Sequence, residues 1–465
     1  MDSQLSDVKS ALSQFCSPLV VNRVVDLLQR KESTKLEWSK IKAIPKSEVP
    51  EYSSLSDVTA DEIESFSKKF AVLKLNGGLG TSMGLQGPKS IIEVKDGKSY
   101  LDILFEQIRL FNKAHNCSIP LIFMNSFNTE AQTKEIVSKN PDIDVICFNQ
   151  HMFPRLDAQT LLPIAKSNND PPSCFYPPGH GDLYDSLNET GTLSLLRSKG
   201  IEYVFISNID NLGATIDIRV LAHLIKTKGE VLLELTPKTP ADAKGGTVVK
   251  YTDDNKSRFR LVDTAMVPTE HQNEFKTVRT FPLCSTNNLW INLAFLESRL
   301  QQNTVSLDVI QNPKTVDGRK VLQLETACGA IVGLADELRL ISVPRSRFIP
   351  TKSCSDLFLI RSNVYQFIDG ELVVNPQRSI TQLPTLFMGG VCATIQTMQD
   401  ACPVVPDLLE AESVNIVGNV RIGKNVSFRG NVVVCADDAS VLFIPDGSIL
   451  DNVVVRGHLT VIPRV

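Results

Sequence analysis

Short apolar runs alternate with helical stretches between residues 56 and 385, and this alternation constrains the fold more than any other feature of the sequence. The runs are rich in β-branched and aromatic residues, as buried strands are. The strand candidates are residues 70–75, 119–124, 145–148, 203–206 and 231–235, and the helix candidates include 100–115 and 218–228. This pattern predicts an α/β core with a Rossmann-like, mixed and mainly parallel sheet. Ligands of such sheets bind beyond the carboxyl ends of the strands, so motifs that follow these runs are candidate functional sites.

Residues 1–55 precede this core and have a different pattern. Apolar residues such as Val8 and Leu12 recur at helical spacing, and the pattern resumes after Pro18. A polar connector that contains prolines follows. The segment predicts a small N-terminal helical unit with a linker, and it leaves residues 56–385 as the main domain.

Residues 400–465 carry a repeat of six. Two sets of apolar residues and one set of asparagines follow this period. They are Val414, Val420, Val426 and Val432; Ile416, Ile422, Phe428 and Val434; and Asn419, Asn425 and Asn431. The repeat predicts a C-terminal left-handed β-helix, with an antiparallel amphipathic meander as the alternative. The array is too short for an acyltransferase site, so we expect it to serve packing or homo-oligomer contact.

Composition excludes several classes of protein. The formal net charge is −4, whereas nucleic-acid-binding proteins normally present a basic face. The ten cysteines include no Cys-x-x-Cys pair, which is typical of thiols in a reducing compartment. A signal-like start and an apolar run of membrane-spanning length are both absent from the sequence. We therefore expect a cytoplasmic protein that binds neither nucleic acid nor membrane and holds an anionic substrate with a few local cations.

The glycine-rich stretch at residues 75–90 directly follows the first predicted strand. Five glycines within eleven residues leave backbone N–H groups open to a ligand, and Lys89 adds a positive charge. The spacing excludes a Rossmann fingerprint, because Gly84 comes one position late. It also excludes a Walker A loop, because Pro88 separates Gly87 from the lysine. The remaining pattern, Gly-Gly-x-Gly-Thr-x-x-Gly-x-x-x-Pro-Lys, predicts a distinct phosphate-binding loop.

This stretch resembles the signature of the sugar nucleotidyltransferases. Together with later motifs, it resembles the eukaryotic-type UTP–glucose-1-phosphate uridylyltransferases, also called UDP-glucose pyrophosphorylases, over nearly the whole chain. The later motifs are residues 148–150, 176–182, 205–211, 286–290, 324–327 and 343–352. The resemblance implies an enzyme that transfers a uridylyl group from UTP to glucose 1-phosphate and forms UDP-glucose and pyrophosphate reversibly. The sugar phosphate would attack the α-phosphorus in line.

The resemblance also implies roles for individual residues toward UTP. Lys89 and Lys352 would be the catalytic cations, and Gln150 would read the uracil edge, since an amide offers both a donor and an acceptor. The full set of residues expected to bind UTP is Leu75, Asn76, Gly77, Gly78, Lys89, Gln150, Gly179, Asn208, Asp210 and Lys352. His151, the residue after Gln150, departs from the pattern of the family.

A second set would bind the sugar phosphate, again by resemblance. It comprises His180, Asn208, Gly245, Gly246, Asn287, Asn288 and Glu325. Asp210 would be the ligand of Mg²⁺, which prefers one or two carboxylates together with substrate phosphates. Polar groups that converge on a hexose discriminate sharply, because the wrong sugar leaves buried groups without partners.

Two other hypotheses remain open at this stage. Within the same fold, the chain could be a pyrophosphorylase for UDP-N-acetylhexosamine or for a broader set of UDP-sugars. Outside this class, it could be a hexapeptide acyltransferase or a non-catalytic nucleotide-sugar sensor. An acyltransferase would need more coils in the C-terminal repeat, and a sensor would not need both lysines.

Overall fold

The computed structural model describes residues 2–30, 36–239, 242, 245–253, 256–437 and 440–457. Residues 438–439 and 458–465 of the predicted C-terminal domain lie outside this set. The helices are α1 (Asp2–Leu12), α2 (Pro18–Arg30), α3 (Ala60–Ser67), α4 (Tyr100–His115), α5 (Glu130–Ser138), α6 (Leu183–Glu189), α7 (Thr192–Ser198), α8 (Ile218–Lys226), α9 (Gln272–Lys276), α10 (Leu293–Gln301), α11 (Cys354–Arg361) and α12 (Ile395–Ala401).

The strands follow the same chain order. They are β1 (Ile41–Ala43), β2 (Phe70–Leu75), β3 (Glu93–Lys95), β4 (Lys98–Ser99), β5 (Leu121–Asn125), β6 (Val145–Asn149), β7 (Phe153–Pro154), β8 (Leu156–Asp157), β9 (Phe175–Tyr176), β10 (Tyr203–Asn208), β11 (Val231–Pro237), β12 (Thr247–Asp253), β13 (Lys256–Val262), β14 (Leu283–Asn292), β15 (Val309–Val316), β16 (Arg319–Thr326), β17 (Leu338–Ser342), β18 (Tyr365–Ile368), β19 (Glu371–Val374), β20 (Thr385–Met388), β21 (Ala411–Val417), β22 (Val420–Ile422), β23 (Ser427–Cys435), β24 (Leu442–Ile444), β25 (Ile449–Asp451) and β26 (Val454–Arg456).

The chain forms two compact units. The first comprises Met1–Gly77, His115–Asn208 and Ile216–Arg345, and the second comprises Gly78–Ala114, Ile209–Thr215 and Ser346–Val465. The chain therefore passes between the units inside two of the predicted motifs, after Gly77 and after Asn208. Each unit is described separately below.

The first unit contains a seven-stranded sheet in the order β17-β11-β14-β10-β2-β5-β6. The long strand β14 runs antiparallel to both of its neighbours, and the other pairs are parallel. This confirms the predicted α/β fold with a mixed, mainly parallel sheet. Strand β2 is buried along its whole length, as expected for a strand with helices on both faces of its sheet.

The predicted strands and helices of the first unit agree with the structure apart from small differences at their ends. Strand β5 begins at Leu121 and not at Ile119, because Pro120 has no N–H to donate to the ladder. Helix α8 ends at Lys226, two residues early, because Lys228 adopts a left-handed backbone with φ 52°. Such a conformation cannot continue a right-handed helix.

The two N-terminal helices confirm the predicted helical segment and its interruption at Pro18. Helix α2 begins at this proline, whose fixed φ suits the first helical position. Its buried face is apolar and includes Val24 and Leu28. These residues pack in one cluster with Phe153 and Tyr176, so α2 lies against the segments that follow Gln150 and precede His180.

The second unit contains the C-terminal repeat, in which the strand pairs are parallel. Strand β21 pairs with β20 and β23, and β23 also pairs with β25 and β26. The residues at the apolar positions of the six-residue period are buried, for example Val414 and Val432 at 2 % and 0 % exposure. Parallel pairing excludes the antiparallel meander in the described part of this segment.

Among the helices of the described residues, none combines the length and the apolar composition that crossing a bilayer requires.

Candidate active site

The side chain of Gln150 lies over the backbone of Gly77 in the first unit. A Cβ atom at position 77 would overlap Gln150 Nε2, so only glycine leaves room for this amide. Gln150 is 7 % exposed, and its Oε1 atom accepts no hydrogen bond from the described residues. A buried amide oxygen without a donor is costly unless a ligand supplies one.

Asn76, in the same unit, holds the carboxyl ends of two neighbouring strands together. Its backbone N–H donates to Met124 O at 2.8 Å. Its buried side-chain amide donates to Asn125 Oδ1 at 2.7 Å and to Thr133 Oγ1 at 2.9 Å. These bonds fix the backbone from which the glycine loop starts.

The rest of the glycine loop belongs to the second unit and closes on itself. Gly80 N donates to Gly87 O, and Lys89 N donates to Gly78 O, both at 3.1 Å. Gly84 has φ +82°, a backbone conformation that residues other than glycine rarely adopt. The loop is therefore a short closed turn that delivers Lys89 to a defined position.

The side chain of Lys89 contacts Asp210 and the backbone of Thr351, all within the second unit. Lys89 Nζ donates to Asp210 Oδ2 at 2.6 Å and also to the carbonyl oxygen of Thr351. The two charged side chains are only 15 % and 16 % exposed. Because an ammonium group has three N–H donors, these acceptors leave one donor for a ligand.

The side chain of Asn211 holds the segment that contains Asp210 against residues 347–349. Its Oδ1 atom accepts a hydrogen bond from Ile349 N at 2.8 Å, and its Nδ2 atom donates to Arg347 O at 3.2 Å. In addition, Thr351 N donates to Asp210 O at 3.2 Å. The segment after β10 is thus bonded to residues 347–351 through the Asn211 side chain and one backbone–backbone hydrogen bond.

Lys352 directly follows Thr351, the residue whose carbonyl oxygen contacts Lys89. Its backbone N–H donates to Asp356 Oδ2 at 2.8 Å, which fixes the start of α11. The side chain is exposed, and its ammonium group pairs with none of the described residues. The carbonyl oxygen that the Lys89 side chain contacts therefore belongs to the residue directly before Lys352. The charge of Lys89 is paired with Asp210, whereas that of Lys352 has no partner among the described residues.

His180, in the first unit, is held by the backbone of Cys328. Cys328 N donates to His180 Nδ1 at 2.9 Å, so Nδ1 is an acceptor and the proton of the neutral ring lies on Nε2. Burial lowers the pKa of His180 against a weaker opposing effect of Asp263. A neutral ring with an Nε2 donor suits a hydrogen bond to a phosphate or hydroxyl oxygen.

Asn208 and Asn287 contact each other beside this histidine. Asn287 Nδ2 donates to Asn208 Oδ1 at 2.9 Å, and the Cys328 thiol donates to Asn287 Oδ1 at 3.4 Å. Asn287 has φ 59°, at the point where the pairing of β14 with β11 is irregular. The structure thus gathers His180, Asn208 and Asn287 around Cys328.

The backbone of Gly179 packs against Glu325 and Thr326, which places Glu325 near His180. Gly179 has φ +84°, and a Cβ atom there would lie 2.6 Å from Thr326 O and 3.1 Å from Glu325 Cβ. Thr326 N donates to Pro178 O at 3.1 Å. Glu325 itself accepts a hydrogen bond from Asn312 Nδ2 at 2.8 Å. The glycine is required because the two backbones touch.

The glycine pair predicted to contact the sugar lies beside the strand that carries Asn287. Gly246 O accepts a hydrogen bond from Ser285 N at 2.9 Å, and Gly245 N donates to Asp242 O at 2.7 Å. Ser285 Oγ in turn accepts a hydrogen bond from Asn287 N at 3.2 Å. These bonds connect the pair to Asn287 through one residue.

Asn288 differs from its neighbour Asn287, because its side chain is fully buried. Asn288 Nδ2 donates to Glu234 Oε2 at 3.0 Å, and Trp290 Nε1 donates to Glu234 Oε1 at 2.9 Å. The carboxylate thus holds Asn288 within the packed interior of the sheet. The observed partner of the Asn288 side chain is thus Glu234, and a contact of Asn288 with the sugar stays a prediction.

Several residues to which we assigned no role also contact the predicted set. Examples are the carbonyl of Thr351 and the N–H of Cys328, whereas the carboxylate of Asp182 contacts His151, the neighbour of Gln150. Backbone contacts leave no sequence signal, since any residue offers the same groups. Asp182, by contrast, ends the Gly-His-Gly-Asp stretch, so a signal for it was available.

Comparison with known proteins identifies the family of the chain. The sequence profile of the UTP–glucose-1-phosphate uridylyltransferase family matches residues 20–429. The chain is similar to the UTP–glucose-1-phosphate uridylyltransferase of Hordeum vulgare, with 42% identity over 92% of this chain and 90% of the relative.

Solved structures give the same result. The chain is similar to the crystal structure of UDP-glucose phosphorylase from Trypanosoma brucei, with a TM-score of 0.87, 33% identity and coverage of 98% of this chain and 100% of that chain. It is also similar to a variant of UDP-glucose pyrophosphorylase from Leishmania major in complex with UDP-glucose, with a TM-score of 0.85, 33% identity and 94% coverage of both chains. A profile match over most of the chain and identity of this extent lead to one conclusion: the chain belongs to the UTP–glucose-1-phosphate uridylyltransferase family.

Proposed function

We propose that the residues described above carry out the family's reaction in defined roles. The enzyme transfers a uridylyl group from UTP to glucose 1-phosphate, forming UDP-glucose and pyrophosphate. The observation that carries the proposed roles is the meeting of Lys89, Asp210 and Thr351, with Lys352 next along the chain. Lys89 keeps one N–H donor and Lys352 has an unpaired charge, so both lysines can contact an anionic phosphate.

Uracil is the part of UTP that Gln150 is suited to bind. The N3–H group of uracil donates a hydrogen bond, and the adjacent carbonyl oxygens accept one. Gln150 Oε1 has no donor among the described residues, and Nε2 lies against Gly77. An amide held in this way can accept from N3–H and donate to a uracil carbonyl, which selects uracil over cytosine.

The reaction needs no nucleophile from the protein. A phosphate oxygen of glucose 1-phosphate attacks the α-phosphorus of UTP, the bond to the β-phosphate oxygen breaks, and pyrophosphate leaves. Both substrates are anions, so cations that act on both are worth more in the transition state than in either ground state. We assign this role to Lys89, Lys352 and the N–H groups of the glycine loop.

The hexose phosphate is the proposed ligand of the residues gathered around Cys328. His180 offers its Nε2–H group, and Asn287 and Glu325 offer an amide and a carboxylate. Gly245 and Gly246 offer backbone groups without a side chain in the way. Convergent polar groups of this kind favour one sugar, because an unsuitable sugar leaves them without partners.

The chemistry of Asp210 fits Mg²⁺. Mg²⁺ commonly takes one or two carboxylates and completes its shell with water and substrate phosphates. Asp210 is one partly buried carboxylate, and the described residues contain no cluster of three or more His, Cys, Asp or Glu side chains that would form a protein-only cage. A bound Mg²⁺ would supply neutralisation of phosphate charge, while Lys89 holds and orients the carboxylate.

Asp210→Asn is expected to raise the Mg²⁺ concentration needed for half-maximal activity by about tenfold or more, since it removes the carboxylate charge and keeps the shape. The measurement is initial rate against free Mg²⁺ at saturating substrates. Asp400→Asn, which changes an exposed carboxylate on α12, is the matched control and should leave the curve unchanged. Equal Mg²⁺ dependence in wild type and Asp210→Asn would remove Asp210 as the metal ligand.

The substrate assignment is tested with the purified full chain, UTP and Mg²⁺. Glucose 1-phosphate should give UDP-glucose and stoichiometric pyrophosphate. N-acetylglucosamine 1-phosphate should react with a kcat/KM at least about 100-fold lower, because its bulkier substituent displaces polar groups that surround the hexose. Equal kcat/KM values would favour a broader or N-acetylhexosamine specificity, and absence of pyrophosphate release would contradict the transferase assignment.

Three further features belong to the proposal. The parallel C-terminal strands form a left-handed β-helix within residues 400–465, and this segment serves packing or homo-oligomer contact. Residues 1–55 and 56–385 form the helical unit and the catalytic domain. The enzyme acts in the cytoplasm, without nucleic-acid or membrane partners. The burial of the six-residue repeat supports the first of these.

A further inference from the structure

A network of charged side chains surrounds His151, the residue that departs from the family pattern directly after Gln150. The carboxylate of Asp182 accepts a hydrogen bond from His151 N at 2.7 Å and lies 2.9 Å from His151 Nδ1. The other ring nitrogen, Nε2, lies 2.9 Å from Glu189 Oε2 on helix α6. All of these residues belong to the first unit.

Two carboxylates at the two ring nitrogens determine the charge of His151. A neutral imidazole has one N–H donor and one acceptor, whereas a carboxylate only accepts. Both nitrogens face carboxylates, and Ser186 Oγ also lies 3.1 Å from Nδ1. Only the protonated ring donates to Asp182 and Glu189 at the same time. Burial lowers the pKa of His151 and Arg23 acts in the same direction, but Asp182 and Glu189 outweigh them, so the pKa is raised above its ordinary value.

Arg23, on the N-terminal helix α2, completes the network. Its guanidinium group donates to Asp185 and to Glu189, and it lies 3.6 Å from Asp182 Oδ1. Asp182 is 4 % exposed, so its charge is buried between the arginine and the histidine. Removing one partner of such a buried charge is costly, because the other charge remains without compensation.

The network connects two parts of the proposed substrate site. Asp182 lies two residues after His180, and His151 lies one residue after Gln150. Ser186 Oγ also donates to Asp182 Oδ2 at 2.7 Å, so this carboxylate stays anchored to α6 if His151 is lost. The position of Gln150 therefore depends on the histidine more than the position of His180 does.

We propose that protonated His151, clamped between Asp182 and Glu189 and backed by Arg23 of the N-terminal helix, is a positioning residue that holds Gln150 for uracil. This inference rests on the proposed function, in which Gln150 binds the base. It gives the N-terminal helical unit a role in UTP affinity. It also makes that affinity depend on pH.

The direction of the pH effect follows from the raised pKa. Below this pKa the ring carries its second proton and both carboxylates are bound. As the pH rises through it, one donor is lost and Arg23 remains the single positive charge of the network against Asp182, Asp185 and Glu189, whose mutual repulsion is then less compensated. The contribution to stability and to UTP affinity is thus complete below the unfolded pKa of about 6.5 and disappears above the folded pKa.

The test compares wild type with His151→Phe, which keeps a ring of similar shape and the backbone N–H but removes both ring donors. At about pH 6 the variant should have a KM for UTP about tenfold higher, the effect of losing a charge-assisted hydrogen bond, with kcat within about twofold. The ratio of the two KM values should fall as the pH rises through the pKa of the wild-type ring, because the neutral ring keeps only one of the two donors. Using the ratio cancels the titration of UTP itself.

Arg23→Ala provides a second, independent variant. It should raise the KM for UTP and, because Arg23 lowers the pKa of His151, should raise that pKa in an NMR titration of the ring. Glu189→Gln should lower it. Arg30→Ala is the matched control, since Arg30 lies on the same helix but bonds to Asp26 and Leu307. It should change neither value.

A folded His151→Phe enzyme whose KM for UTP equals that of wild type from about pH 6 to pH 9 would overturn the inference. The inference would also be overturned if kcat fell and the KM for glucose 1-phosphate rose by the same factor as the KM for UTP. That result would indicate a general structural role. Failure of the proposed function can be distinguished from failure of this inference, because wild type would then form no UDP-glucose. Wild type that forms UDP-glucose while the variant is unaffected removes the clamp alone.

Discussion

Lys352→Ala is expected to lower kcat by at least about 100-fold, a loss of about 2.7 kcal/mol of transition-state stabilisation, with a much smaller change in KM for either substrate. Lys352 is exposed, and its ammonium group pairs with no carboxylate in the described part of the chain. Lys89, by contrast, is already paired with Asp210 at 2.6 Å. The full charge of Lys352 is therefore available to the substrates, and its loss should fall on the step in which negative charge is redistributed.

Two variants make this expectation specific. Lys352→Arg keeps the charge but spreads it over a planar fork, so it should recover part of the lost kcat. Lys113→Ala removes another exposed lysine of the same unit, on helix α4, and should leave kcat unchanged. Steady-state kinetics in both directions is the measurement. A folded Lys352→Ala enzyme with kcat within about threefold of wild type would remove this residue from the catalytic set.

Much of the fold could be predicted because its signals are local. Strand β2 and helix α4 agree with the predicted bounds of 70–75 and 100–115. The order of the strands could not be obtained in the same way. The central strand β14 joins β10 and β11 antiparallel to both, and this pairing depends on contacts between residues far apart in sequence. Burial decides such contacts, and local propensity carries little information about them.

The candidate site also contains residues with a local sequence signal and residues that are placed by contacts with distant parts of the chain. The glycine-rich motif indicated Gly77 and Lys89 as candidates, because the chemistry of a phosphate loop restricts which residues can occupy it. The partner that neutralises Lys89 is another predicted residue, Asp210, but the bond between them is visible only in the folded chain. Arg23 carried no signal at all, since an arginine on an amphipathic helix is usually a solvated residue. Sequence thus indicates candidate residues whose types a ligand restricts, whereas contacts between side chains become visible only in the folded chain.

Gly77→Ala is expected to displace the side chain that we assign to the uracil base. The added methyl group would overlap Gln150 Nε2, so the end of this buried side chain must leave the position that it occupies over Gly77. We expect the KM for UTP to rise by about 100-fold, which corresponds to about 2.7 kcal/mol of binding free energy. The kcat at saturating UTP should change far less, because the groups that act on the phosphates are untouched.

The neighbouring glycine offers a control within the same loop. A Cβ atom at Gly78 has no atom within 4 Å, so Gly78→Ala should leave the melting temperature unchanged, and any loss of UTP affinity there reports the approach of the nucleotide. A double-mutant cycle then isolates the mechanism. If Gly77→Ala acts by displacing the amide, Gly77→Ala/Gln150→Ala should bind UTP no more weakly than Gln150→Ala alone. Additive losses would mean that the methyl group harms the site by another route, and the proposed contact of Gln150 with uracil would lose its main structural support.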